Sequence, residues 1–126
     1  MKDVIWVLEE TVRTIHSRQI AEHGGREGRD EGLLLSTLAR PRNLYRYGEN
    51  IDIPGLAASY AYGIAKNHPF IDGNKRTALV VMRLFLALND IELTASQKEK
   101  YVTILRLAEE EISEEILAGW IREHTM

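Results

Sequence analysis

Apolar residues recur every three or four positions along most of this chain, a spacing that predicts helices. The first helix is expected to end at Gly24 and Gly25, which open a glycine-rich, charged linker that reaches Arg29. Asp30 would cap the second helix, and Pro41 would close it, because the residue before a proline avoids helical backbone angles. The predicted inner faces are Leu8, Val12, Ile15 and Gln19 in the first helix, and Leu33, Leu34, Leu35 and Leu38 in the second.

The longest connection between helices is predicted at residues 41–52, which show no helical period. We expect an exposed loop or a small hairpin here and refer to it as the predicted flap. Asp52 and Pro54 mark the start of a third helix, since proline suits a first turn. That helix should run to about Asn67. It is lined with small residues that let a neighbouring helix approach closely: Ala57, Ala58, Ala61, Gly63 and Ala65.

Residues 74–89 are predicted to form the central helix. Ten of the eleven residues from 78 to 88 are apolar, and a helix that is apolar on nearly every face is a buried one. Ser96 and Glu99 have the spacing of a capping box and would start the next helix. The inner face of the last helix would consist of Ile112, Ile116, Trp120 and Ile121. The expected fold is therefore all-α, a single domain over residues 1–126 with about six helices around one buried central helix.

Composition excludes several classes of function. With a formal net charge of −3, the chain lacks the basic surface that sequence-independent nucleic-acid binding requires. It has no cysteine, so disulfides and thiolate metal sites are excluded. The most apolar run is interrupted by Arg83 and is too short to span a bilayer. We expect a cytoplasmic protein with no direct nucleic-acid or membrane partner.

The chemically informative stretch is 68–76, HPFIDGNKR, in the turn that leads into the predicted central helix. A helix N-terminus presents unpaired N–H groups and a partial positive charge, and Gly73 would let a ligand approach this backbone. Lys75 and Arg76 add two cations that suit phosphate oxygens. Asp72 offers a hard oxygen for Mg²⁺, and His68 can accept a proton near neutral pH. Together they would form a site for phosphoryl or nucleotidyl transfer.

Each of these residues also has a simpler structural interpretation. A lone histidine at this place can be a helix-end residue, a lone aspartate an N-cap, and a lysine–arginine pair a solvated surface. Phe70 has only a structural interpretation, as a core anchor for the turn. Spacing alone leaves both interpretations open, because short motifs recur by chance.

The same nine residues resemble the signature of the Fic/Doc family, His-x-Phe-x-Asp/Glu-Gly-Asn-x-Arg, at every specified position. The stretches IHSRQIAEHGG and RDEGLLLSTLARP also resemble the N-terminal half of the family's death-on-curing (Doc) branch. The resemblance implies ATP and Mg²⁺ as cofactors, with His68 as the general base on a target hydroxyl. It further implies that Asp72 holds the metal and that Gly73, Asn74 and Arg76 position the phosphates.

Two departures from the family pattern bear on the reaction. Members that transfer AMP have a second glycine where this chain has Lys75, and a further arginine where it has Leu79. Lysine fills that space and supplies a compact cation, as in the Doc branch, which implies that the γ-phosphate lies near His68 and is transferred. Gly73 points the other way, because the best-known Doc pattern has alanine there. Three functions stay open: a protein kinase toxin that blocks translation, an adenylyltransferase, and an inactive helical module that binds a partner.

The resemblance also implies partners. Many Fic proteins carry an inhibitory helix with the pattern Ser/Thr-x-x-x-Glu-Gly/Asn, and this chain has no match to it. Control would then come in trans from a Phd-like antitoxin, whose C-terminal segment folds onto the toxin. The implied protein substrate is a threonine of elongation factor Tu. The predicted flap would align that target by main-chain pairing with an extended segment.

Overall fold

The computed structural model describes residues 3–126, and all regular secondary structure in that range is helical. The six helices are α1 (Glu9–His23), α2 (Glu31–Tyr47), α3 (Ile53–Asn67), α4 (Asn74–Leu88), α5 (Gln97–Ala108) and α6 (Glu114–Glu123). Extended pairing over these residues is limited to two isolated β-bridges. The prediction of an all-α fold with about six helices is confirmed. Over the same range, no helix combines the length and the hydropathy needed to cross a membrane.

The central helix of the bundle is α3, so the prediction that residues 74–89 form the central helix is wrong. Helix α3 packs against α2, α4, α5 and α6, and ten of its fifteen residues are buried. Ala57, Ala61 and Ala65 lie one turn apart, are fully buried and let the neighbouring helices approach. Helix α4 buries eight of fifteen residues and leaves Arg83 and Ala87 exposed, so its apolar composition overstates its burial.

Helix α2 continues through Pro41 to Tyr47, so the prediction that Pro41 closes the helix is wrong. A proline inside a helix removes one backbone hydrogen bond, here to the carbonyl of Thr37, at a cost of about 3 kcal/mol. Pro41 is buried and the half-buried Leu44 packs against the core, and this burial offsets the local cost. Most of the predicted flap is therefore helical, and only residues 48–52 connect α2 to α3.

The buried faces of three helices also differ in part from the predicted ones. Residues that were expected inside but are exposed are Leu8, Leu35 and Ile116. Buried residues outside the predicted faces are His16, Ile20, Thr37, Pro41, Leu117 and Ala118. When apolar residues recur every three or four positions, either of two adjacent faces of the helix can be the buried one. Tertiary contacts decide which of the two is buried. A count of apolar positions also passes over His16 and Thr37, because their side chains are polar.

Side-chain caps place the starts of α2, α3 and α5 where the sequence predicted them. Asp30 and Asp52 each accept a hydrogen bond of 2.9 Å from a first-turn N–H of α2 and α3. Ser96 and Glu99 form a reciprocal capping box at the start of α5. With the start of α3 fixed by its cap, its C-terminal end meets the N-terminal end of α4 at the stretch 68–76.

An extended segment before α1 lies along the bundle. The backbone N–H of Val7 donates to the hydroxyl of Tyr60 at 3.3 Å. The side-chain amide of Asn89 bonds both the N–H and the carbonyl of Ile5, each at 2.9 Å. Burial raises the pKa of the Tyr60 phenol, so this hydroxyl stays neutral and can accept the bond.

Candidate active site

The stretch 68–76 forms a tight turn between α3 and α4, with a left-handed residue on either side. His68 ends α3 with φ 51° and ψ 58°. That conformation costs a residue other than glycine about 1–2 kcal/mol, and such residues cluster at functional sites. Gly73 caps α4 with φ 81°. The two residues reverse the chain sharply and keep the whole motif on one side of the bundle.

All six predicted site residues line one open cavity of about 460 Å³: His68, Asp72, Gly73, Asn74, Lys75 and Arg76. The end of α1 and the linker after it complete one wall, through Gln19, His23, Gly24 and Gly25. Tyr101 of α5 contributes to the lining as well. The motif therefore faces a single space that is bounded by elements distant in sequence.

The N-terminal end of α4 has the properties of an anion site. Its cap residue is a glycine, and no side chain between residues 3 and 126 caps it. Its first N–H groups therefore lack helical acceptors and carry the positive end of the helix dipole. Neither Lys75 nor Arg76 forms an ion pair in the described part of the chain, and both are half-buried. The Arg76 guanidinium lies 5.0 Å from the ring centre of Tyr101, a cation–π contact that limits its mobility.

Asp72 is half-buried and is held at two points. Its Oδ2 accepts a hydrogen bond from the backbone N–H of Arg26 at 2.8 Å, and its main-chain carbonyl is bonded by His16. Its other carboxylate oxygen has no hydrogen bond among residues 3–126. A carboxylate that is anchored through one oxygen can offer the other to a metal ion. The described residues contain no group of three His, Cys, Asp or Glu that could hold a metal by themselves.

The structure places the Asn74 side chain on the backbone of Phe70. Its Nδ2 donates to the Phe70 carbonyl at 2.8 Å, and its Oδ1 accepts the Phe70 N–H at 3.1 Å. The same Nδ2 lies 3.5 Å from Nδ1 of His68. These bonds close the turn and bury the side chain of Asn74. A phosphate contact at this position would therefore fall to the backbone N–H.

The segment that lies beside the motif is the linker between α1 and α2, not the predicted flap. The N–H of Asp30 donates to the Pro69 carbonyl at 2.9 Å, and the N–H of Ile71 donates to the Gly28 carbonyl at 3.0 Å. Arg29 and Phe70 form the antiparallel bridge between them. Residues 48–52 lie at the other end of α3, about 22 Å along its axis. The assignment of target alignment to residues 41–52 is therefore wrong.

His16 of α1 is a site residue that the sequence motif does not reveal. Its Nε2 lies 2.8 Å from the carbonyl oxygen of Asp72. Its ring stacks on that of Phe70, with the centroids 3.8 Å apart and the planes within 8° of parallel. The only signal in the sequence is its position midway between Val12 and Ile20, one turn from each on the buried face of α1.

Comparisons with known proteins identify the family of this chain. A model described as the Fic/DOC family matches residues 6–86, which include α1 to α3 and most of α4. The chain is 32% identical over 99 residues to "Protein kinase doc" of Escherichia phage P1, covering 78% of this chain and 79% of that protein. It is 38% identical over 77 residues to "Toxin Doc" of Mycolicibacterium smegmatis, covering 60% of this chain and 59% of that protein.

Proposed function

This chain belongs to the Fic/Doc family, and we propose that it acts as the toxin of a toxin–antitoxin pair, a protein kinase that uses ATP and Mg²⁺ to phosphorylate a hydroxyl group. The observation that carries the proposal is that His68, Asp72 and Lys75 line one cavity at the N-terminal end of α4, where no side chain among residues 3–126 caps the helix. The names of the two relatives, a protein kinase and a toxin, support it. The proposed target is a threonine of elongation factor Tu in the cytoplasm, and its modification would block translation.

In the proposed reaction the hydroxyl oxygen attacks the γ-phosphorus and gives its proton to His68. The new O–P bond forms as the bond from the γ-phosphorus to the bridging oxygen breaks, and ADP leaves. The first N–H groups of α4, with Lys75 and Arg76, stabilise the negative charge on the phosphates. Mg²⁺ usually binds one or two carboxylates together with substrate phosphates, and the anchored carboxylate of Asp72 suits that role.

Transfer of AMP is the second candidate, and the sequence feature in its favour is Gly73. The backbone gives this glycine another explanation. Its φ of 81° is left-handed, and a Cβ there would lie 3.2 Å from Cδ1 of Ile20. Glycine suits this conformation whichever phosphate is transferred, so it no longer favours AMP transfer. Lys75 lies at the cavity wall and forms no ion pair within residues 3–126, which supports transfer of the γ-phosphate.

Alignment of the target, first expected of residues 41–52, suits the linker between α1 and α2 better. Gly24 and Gly25 border the cavity, and the linker already pairs by main chain with the turn. We assign it the alignment of an extended target segment, which would bring the target hydroxyl to His68.

The proposed control is a Phd-like antitoxin whose C-terminal segment folds onto this chain. The sequence contains no inhibitory helix of the family pattern, so the enzyme would need restraint in trans. Coexpression with the neighbouring gene should yield a stable, non-toxic complex. Recovery of a free monomer that is harmless in cells would overturn this part of the proposal.

A transfer assay with purified elongation factor Tu and ATP labelled at the α- or the γ-phosphate tests the reaction. Label from the γ-position alone is expected, with none from His68→Ala, which should keep its fold and its nucleotide binding. Label from the α-position would establish AMP transfer. If neither position labels the target while ATP still binds, the target is another protein or the chain is an inactive binding module. Lys75→Gly should weaken γ-transfer, and unchanged activity would refute the role of this lysine.

A further inference from the structure

We propose that His16 is a positioning residue of this site, which holds the turn 70–73 so that the Asp72 carboxylate and the first N–H groups of α4 meet the same metal-bound nucleotide. The inference rests on the proposed function, because it assigns a purpose to the geometry of that site. His16 does not line the cavity; it acts on the turn from the side of α1.

The first contact is a hydrogen bond to the main chain. Nε2 of His16 lies 2.8 Å from the carbonyl oxygen of Asp72. Because a carbonyl oxygen can only accept, Nε2 must carry a proton and donate it. The bond fixes the peptide between Asp72 and Gly73, and Gly73 is the N-cap residue of α4. It therefore sets the direction in which the N-terminal end of that helix points.

The second contact is the stack of the His16 ring on the ring of Phe70, with the centroids 3.8 Å apart. Phe70 is also held through its backbone, where the Asn74 side chain bonds both its N–H and its carbonyl. The start of the turn is thus clamped between α1 and α4. With its ring and its peptide groups both occupied, Phe70 cannot shift without breaking one of these contacts.

Gly73 lies beside the same ring. A Cβ placed on this glycine would be 3.6 Å and 3.7 Å from two ring atoms of His16. His16 therefore contacts the turn at Phe70 and Asp72 and lies next to Gly73. Its side chain is only 1% exposed, and Val12 and Ile20 are buried one turn on either side of it. The ring has little freedom, which is the property that a support for a binding site needs.

Three variants separate the hydrogen bond from general packing. His16→Phe keeps a flat ring for Phe70 but loses the donor. His16→Gln keeps an N–H donor near the position of Nε2. Val12→Ala removes buried volume from the same face of α1 and serves as the control for lost stability. For each folded variant, the dissociation constant for ATP with Mg²⁺ would be measured by calorimetry. Amide hydrogen exchange of Phe70 and Ile71 would be measured in the free protein.

We expect His16→Phe to weaken binding of ATP with Mg²⁺ by about 10–100-fold, the usual effect of losing a supporting partner at a metal site. The amides of Phe70 and Ile71, which are bonded within the turn and to the linker, should lose protection in the same variant. His16→Gln should restore most of the affinity. Val12→Ala should lower the melting temperature but leave both the affinity and the protection of these two amides near the wild-type values.

Normal affinity and normal amide protection in a folded His16→Phe protein would overturn the inference. Equal losses of affinity in His16→Phe, His16→Gln and Val12→Ala would overturn it too, because they would reduce His16 to a packing residue. Failure of the proposed function looks different: the wild-type protein itself would not bind ATP with Mg²⁺. If His16→Phe does not fold, His16→Leu, which also lacks the donor, takes its place, with the same expected losses and the same overturning result.

Discussion

Replacing Gly73 by alanine tests whether the geometry of the turn demands a glycine. The backbone here has φ 81° and ψ 15°, a left-handed conformation that costs a residue with a Cβ about 1–2 kcal/mol. Alanine also lowers the conformational entropy of the unfolded chain, which stabilises the folded state by about 0.4–1 kcal/mol. The new methyl group would lie 3.2 Å from Cδ1 of Ile20, the mobile end of a side chain that can move by a few tenths of an ångström. The net loss should be about 1 kcal/mol.

Chemical denaturation of both proteins at one pH and temperature measures this loss, and the melting temperature should fall by about 4 °C. Gly119→Ala is the matched control. Gly119 lies inside α6, and an added Cβ there would meet no atom within 4 Å. The same chemical change should therefore stabilise the protein by about 0.5–1 kcal/mol. If Gly73→Ala is as stable as the wild type, strain does not explain this glycine, and its value as a sign of AMP transfer returns.

Two further substitutions test contacts outside the site. Arg122 and the Gly55 N–H lower the pKa of Asp52 below its ordinary value of 3.8, so this carboxylate stabilises the fold above that pH and stops doing so as the pH falls through the folded-state pKa. Asp52→Asn keeps a capping side chain but loses the half-exposed ion pair with Arg122. Unfolding titrations should show a free energy of unfolding lower by about 0.5–1 kcal/mol at pH 7, and the difference should vanish below pH 3.8. A difference that does not change with pH would refute the assignment. Tyr60→Phe leaves the Val7 N–H unpaired and should lower the free energy of unfolding in urea by about 1 kcal/mol. The hydroxyl of Tyr62 has no hydrogen bond among residues 3–126, so Tyr62→Phe should have no measurable effect. Equal effects of the two substitutions would count against the bond.

The sequence located the turn between α3 and α4 correctly because its residues are neighbours in the chain. Once two helices are joined by a short turn, His68, Asp72 and Lys75 cannot lie far apart, whatever the rest of the fold does. His16 and Tyr101 belong to the same site but come from α1 and α5, and no local pattern connects them to the motif. Only tertiary packing brings them to the turn.

The errors in the fold have the same origin. A local rule disfavours proline inside a helix, but Pro41 lies inside α2 because the core contacts of this helix outweigh the local cost. Helix α4 contains the longest apolar run of the chain, at residues 78–88, but burial depends on how many helices pack against that run. Helix α3 has neighbours on four sides because its alanines leave room for them. Helix caps were predictable, since a cap depends only on residues within a single turn.

The pairing of the linker at Gly28 and Asp30 with the turn at Pro69 and Ile71 has a consequence for folding kinetics. It joins segments separated by two whole helices, and closing so large a loop costs chain entropy before any contact rewards it. Helices α3 and α4 are adjacent in the chain and can pack earlier. The pocket should then be assembled late, after the transition state, so substitutions within it should speed unfolding and leave the folding rate nearly unchanged. A nascent chain with α3 and α4 already paired would have the motif but not the complete cavity, and the proposed activity would appear only when folding is complete.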